Sequence, residues 1–231
     1  MSEILANARQ VLYDRHQDVE TYFNTLRHES MQSVSDEVAI LRATTVLLFY
    51  NMIEATIKNL FLDYYRALGQ RPFEKLNVEL QKLYIDLKLT ENDPYSAKHD
   101  TYIKKSEEII RSVLSSEGVF IPVSRNEEFK KVNKGGGNLD VSTIQKLFNI
   151  HGIDLSDVDF PSCISRIKQE RNDLSHGSKT FLEIGRKKSL RGSEDTKGLE
   201  DDKQEIKMFL DKLIAKIEET IDEHYGEMIA V

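Results

Sequence analysis

A chain of 231 residues, 39% hydrophobic and 31% charged, is long enough to bury its own core and reads as an ordinary soluble globular protein. Cys163 is the only cysteine, which excludes an internal disulfide, and a net charge of −7 argues against tight non-specific binding of nucleic acid by the surface as a whole. The N-terminus MSEILANARQ lacks the apolar stretch of a secretory signal, and the longest apolar run, around Val46 to Tyr50, is too short to span a bilayer, so no membrane association and a cytoplasmic location are expected.

The pattern predicts an all-α fold in one domain over residues 1–231, with a core of about 36–224 and an N-terminal helix within 1–30 packing on it. From Ser2 to about Glu29, residues Ile4, Leu5, Ala8, Val11, Leu12, Val19, Tyr22, Phe23 and Leu26 recur at helical spacing. Ser33 or Ser35 is the candidate cap for a second helix, about Asp36 to Leu68, which is apolar nearly all round and therefore central. Gly69 is expected as a left-handed stop before Pro72. Phe73 to Leu89 and Lys98 to Ser116 read as helices separated by a turn at Glu91–Pro94. An irregular insert is expected around residues 117–140. Within it, Val119–Pro122 reads as extended and Lys134–Asn138 as a flexible linker without the spacing of a phosphate-binding loop. A short helix follows from Ser142 to His151. Pro161 suits the first turn of a helix ending near Gly177. A polar loop with a brief turn at Phe181–Ile184 then leads to a last amphipathic helix, about Glu200 to His224.

Charge is unevenly spread. Pro161 to Gly192 carries eight Lys/Arg against three Asp/Glu, whereas Leu199 to Val231 carries four Lys against ten Asp/Glu. The basic stretch contains Glu170-Arg-Asn-Asp-Leu-Ser-His-Gly177. Arg171 and His176 are five residues apart, so on a straight helix they diverge by about 140° around the axis. They converge only where the helix ends between them, and Gly177 is the expected ending. An imidazole titrating near neutrality can move a proton at a ribose 2′-OH or a leaving oxygen. A guanidinium can grip a phosphate and offset the charge that develops on it. With the substrate's own 2′-OH as nucleophile, such chemistry needs no metal. A single imidazole cannot readily serve both sides of the phosphorus, which a two-fold dimer would resolve.

At these residues the chain resembles the HEPN superfamily, whose signature is an Arg, four to six residues, then a His. The stretch Arg42–Leu62, with Glu54 at an acidic position, looks like that family's first core helix. Gly136–Asp154 and Phe181–Leu190 look like the flanks of its toxin-like branch. The resemblance implies a helical bundle that dimerises through the motif helices and, in many members, a metal-independent endoribonuclease acting as a toxin or defence effector. It assigns catalysis to Arg171 and His176, support of motif geometry to Asn172, and orientation of Arg171 or His176 to Glu54. RNA is then the expected partner, with a second copy of the chain and an antitoxin or defence-complex protein beside it. Ser178 stands where toxins controlled by a nucleotidyltransferase carry a tyrosine, so control by tyrosine adenylylation is not expected.

Blander readings stand beside these. Arg171 and His176 can simply cap a helix end, and Glu54 can pair with Lys58 one turn on. Arg186, Lys187, Lys188 and Arg191 are candidate RNA contacts or a solvated loop. His16, His28, His99, His151 and His224 show no ligand spacing with one another or with Cys163, so neither a metal nor another cofactor is expected. The alternative function is a non-catalytic HEPN module that binds nucleotide or protein, or a scaffold in a defence complex.

Overall fold

In the computed structural model the described residues are 3–32, 35–69, 71–90, 99–114, 139–192 and 197–229, and among them there is no strand. The expected turn at Glu91–Pro94, the extended Val119–Pro122, the linker Lys134–Asn138 and nearly all of the 117–140 insert lie outside the described residues. A 3-10 turn at Glu3–Leu5 leads into α1 (Ala6–Gln32), followed by α2 (Asp36–Leu68), a 3-10 turn at Phe73–Lys75, α3 (Val78–Thr90) and α4 (His99–Leu114). Beyond the insert come α5 (Val141–Asn149), α6 (Cys163–Ser175), the short α7 (Phe181–Gly185) and α8 (Leu199–Ile229).

Helix α2 is the centre. Ser35 begins it, its hydroxyl accepting the Val38 N–H, and Asp36 and Glu37 complement the positive end of the dipole. Val46, Phe49, Ile53, Ile57, Leu60 and Phe61 are buried along it, against α1 on one side and α6, α7 and α8 on others. Each such side chain contributes about 1.5–3 kcal/mol on burial. By length and composition α2 is apolar enough to cross a membrane, more so than the run Val46–Tyr50 suggests on its own. Here it is a core helix, half of its most apolar stretch buried by its neighbours.

Helix α1 presents Ala8, Leu12, Val19, Phe23 and Leu26 to α2 at helical spacing. Its first turn is capped from across the interface, where buried Asp63 of α2 accepts the Ala8 N–H at 2.8 Å. Ion pairs Arg27–Glu200 (2.8 Å) and Lys203–Glu20 join α1 to α8.

Two expected boundaries differ. Gly69 is right-handed (φ −62°), not left-handed. The Arg71 N–H bonds the Leu68 carbonyl at 2.9 Å, so the chain leaves α2 through another tight right-handed turn before Pro72. The stretch Phe73–Leu89 is not one helix, because Leu76 is extended and Asn77 starts a new one by accepting the Leu80 N–H at 2.8 Å.

Candidate active site

Helix α6 begins just past Pro161, whose carbonyl accepts the Ile164 N–H, and it buries Cys163, Ile164 and Ile167. It runs through Ser175, and His176 still holds a right-handed backbone (φ −95°, ψ −1°). The break follows the motif histidine instead of separating it from Arg171. Gly177 is left-handed at φ +70°, its N–H bonds the Leu174 carbonyl, and the Ser178 N–H bonds that of Asp173 at 2.8 Å. This is a Schellman ending, for which glycine is the favoured residue. Arg171 and His176 therefore keep the helical divergence of about 140°, and no hydrogen bond joins them within one chain among the described residues. The expected convergence in a single chain does not occur.

The turn that carries His176 is fastened from below. Asp173 is buried, and its carboxylate accepts Gln169 Nε2 at 2.9 Å and the Lys179 ammonium. The Lys179 bond, reinforced by Gln169, holds the Asp173 carboxyl below the usual carboxylate range. Thr180 and Glu183 then form a reciprocal capping box that starts α7. His176 itself is exposed at the end of α6.

Arg171 is half-buried, with its guanidinium carbon 5.0 Å from the ring centroid of Tyr50 on α2. Such a contact is worth about 0.5–1 kcal/mol at exposed sites and about 2 kcal/mol when desolvated. Nη1 also donates to Oδ1 of Asn172 at 3.2 Å. Among the described residues no carboxylate pairs with Arg171, in contrast to Arg9, Arg27, Arg166 and Arg186, each of which has an acid partner. Tyr50 is 3% exposed, and its hydroxyl accepts the Leu139 N–H at 3.1 Å. Burial raises the Tyr50 pKa, so the phenol stays neutral. Glu54, one turn along α2, pairs with Lys58 at 3.1 Å and makes no hydrogen bond to Arg171 or His176 among the described residues. Asp140 caps α5 and accepts Lys168 of α6 at 3.1 Å. Although burial pushes its carboxyl up, bonds from Thr143, Ser142 and Lys168 outweigh this and hold it well down.

A family model, that of MAE_28990-like HEPN domains, matches residues 4–225. The chain belongs to this HEPN family. No curated protein and no solved structure matches the chain. HEPN domains are helical and often ribonucleases, and in this one the motif Arg and His lie on the helix that packs against α2.

The four basic residues beyond the HEPN motif occupy unlike environments. Lys187 is exposed. Arg191 is 79% exposed in its side chain, with Nε 3.7 Å from Glu200. Arg186 pairs with Asp36 at 2.7 Å on the surface. Lys188 is turned inward, its side chain 8% exposed and its ammonium 2.6 Å from Glu170. Lys187 and Lys188, but not Arg186 or Arg191, line a cavity of about 350 Å³ with Arg166 and Lys197. Asp202, Glu170 and Glu205 occupy Arg166, Lys188 and Lys197 in turn.

Sequence reasoning did not single out Tyr50 or Asp173. Tyr50 reads as one more member of an apolar run, and its place under Arg171 depends on how α6 crosses α2. The Gln169, Asp173 and Lys179 spacing carries a local signal, since Gln169 and Asp173 are one helical turn apart.

Proposed function

We propose that this HEPN protein is a metal-independent endoribonuclease, a toxin or defence effector, that cleaves RNA by attack of the 2′-OH on the adjacent phosphorus. The carrying observation is Arg171, a half-buried guanidinium fixed by an aromatic ring and an amide and with no carboxylate partner among the described residues. A cation held in place and not neutralised suits a phosphate that gains charge in the transition state. Exposed His176 is the general acid or base, Asn172 fixes the Arg171 fork, and Glu54 acts from one turn beyond Tyr50.

The divergence of Arg171 and His176 within one chain supports a homodimer in which two motif helices face each other across a two-fold axis. One His176 then withdraws the 2′-OH proton and the other protonates the leaving 5′-oxygen. Lys187 and Arg191 steer the RNA, with Arg186 beside them if the substrate displaces Asp36, while Lys188 serves mainly to hold Glu170. The test is cleavage of RNA in excess EDTA with analysis of the ends. Products carrying a 2′,3′-cyclic phosphate are expected, and a strict requirement for divalent metal would overturn the chemistry. The second reading, a non-catalytic nucleotide- or protein-binding HEPN module, predicts ligand-dependent stabilisation with no cleavage at any protein concentration.

A further inference from the structure

An arginine side chain has four flexible torsions, so a guanidinium aimed at a substrate must be held. A carboxylate is the usual anchor, but it cancels the charge and competes with phosphate. Among the described residues no carboxylate forms an ion pair with Arg171. Glu54 lies one turn along α2 from Tyr50, and Asp140 follows Leu139, whose N–H the Tyr50 hydroxyl accepts. Lys58 occupies the first at 3.1 Å and Lys168 the second at 3.1 Å. What remains under the guanidinium is the Tyr50 ring, 5.0 Å away. The ring is itself immobile, being 3% exposed on the central helix with its hydroxyl bonded to the Leu139 backbone.

We propose that Tyr50 is the positioning residue for Arg171, an aromatic platform that orients the guanidinium towards an RNA phosphate while leaving its positive charge intact. Tyr50 acts through Arg171 and not on the substrate. The ring face is what matters. Leucine fills similar space but has no quadrupole to hold the cation, whereas phenylalanine retains it. The inference rests on the RNA-cleaving reading for its kinetic consequence only, since the platform itself can be observed without turnover.

The first measurement is the NMR shift of the Arg171 side-chain protons in the unmodified protein. Stacking on Tyr50 moves them upfield of those of exposed arginines, and unshifted signals would overturn the platform without recourse to any variant. Tyr50→Phe and Tyr50→Leu are then compared at matched melting temperature. Tyr50→Phe should keep the upfield shift and stay within about twofold of the parent in kcat. Tyr50→Leu should lose the shift and about tenfold in kcat, with KM changed less, because a wandering guanidinium fails chiefly in the transition state. Equal loss in both variants would place the effect in the hydroxyl and overturn the proposal. So would a fully active Tyr50→Leu. If the parent cleaves no RNA, the NMR comparison decides the platform by itself, because it needs no turnover. The upfield shift should persist in Tyr50→Phe and vanish in Tyr50→Leu, and a shift that persists in Tyr50→Leu would overturn the platform while leaving the cause of the inactivity separate.

Discussion

The ammonium of Lys188 lies 2.6 Å from Oε1 of Glu170, beneath the loop on which its neighbour Lys187 stands exposed. Burial lowers the Lys188 pKa, against the bond to Glu170, which raises it. Two adjacent lysines thus have different tasks. Lys188→Ala removes the closer of two cations on Glu170, leaving Arg166 at 3.7 Å, and should cost about 2 kcal/mol of stability. Lys187→Ala should leave stability unchanged and reduce the salt dependence of RNA binding by about one unit of slope. Urea unfolding and binding at several salt concentrations separate the two, and the reverse pattern would reassign them.

His176→Ala removes an exposed side chain with no hydrogen bond among the described residues. Cleavage should fall by about 10²–10⁴, with the melting temperature within a degree or so. A purified variant as active as the parent would remove His176 from the chemistry.

A site built from two copies makes inactive subunits poisonous. Excess His176→Ala chain, allowed to exchange with the parent protein, should suppress the parent's cleavage as mixed dimers form. Dilution below the dimer dissociation constant should do the same. Activity that ignores both treatments would mean that one chain is sufficient.

His151 lies among the rings of Phe61, Tyr64 and Tyr65, with Tyr65 Oη bonded to Nε2 and the Leu147 carbonyl 2.6 Å from Nδ1. Burial lowers its pKa to about 4 from the ordinary histidine value of 6.5, against the bond to the Leu147 carbonyl, which raises it. Between those values the unfolded chain takes up a proton that the folded chain refuses. Stability is therefore full above pH 6.5 and declines as the pH falls towards 4, by on the order of 3 kcal/mol. Unfolding free energy against pH should lose this slope in His151→Gln, and parallel curves would contradict the assignment.

Two glycines near the motif should respond differently to alanine. At Gly177 (φ +70°) a Cβ meets nothing within 4 Å, so only the left-handed backbone resists it, at about 1–2 kcal/mol. At Gly185 a Cβ would stand 1.7 Å from the Ala39 carbonyl oxygen, so α7 must move off α2, at about 3 kcal/mol or more. Denaturant midpoints of the two variants test the order.

Much of this architecture is legible in local pattern. The apolar circumference of α2, the cap at Ser35, the ending at Gly177 and the turn at Phe181 all depend on residues a few positions apart. The misplaced features depend on distance through space. Gly69 offers a left-handed stop that the chain does not need, because the turn through Arg71 is completed by a guanidinium bonded to the Ile221 carbonyl of α8. Asn77 is a plain N-cap type, overlooked where Phe73 and Leu76 suggest an uninterrupted helix. Arg171 and His176 are identifiable by residue type and spacing. That they diverge, that Tyr50 lies beneath one of them and that Lys188 faces inward follow only from the crossing of α6 and α7 over α2.

The bond from Ala8 to Asp63 makes the second helix a structural cap for the first. Shortening the protein at its amino end to reach the motif-bearing core would uncover a carboxylate designed to meet a backbone amide and leave Arg66 as its remaining anchor. Trimmed versions prepared for crystallisation or expression should therefore preserve the leading helix, and affinity handles belong ahead of Glu3, never in its place.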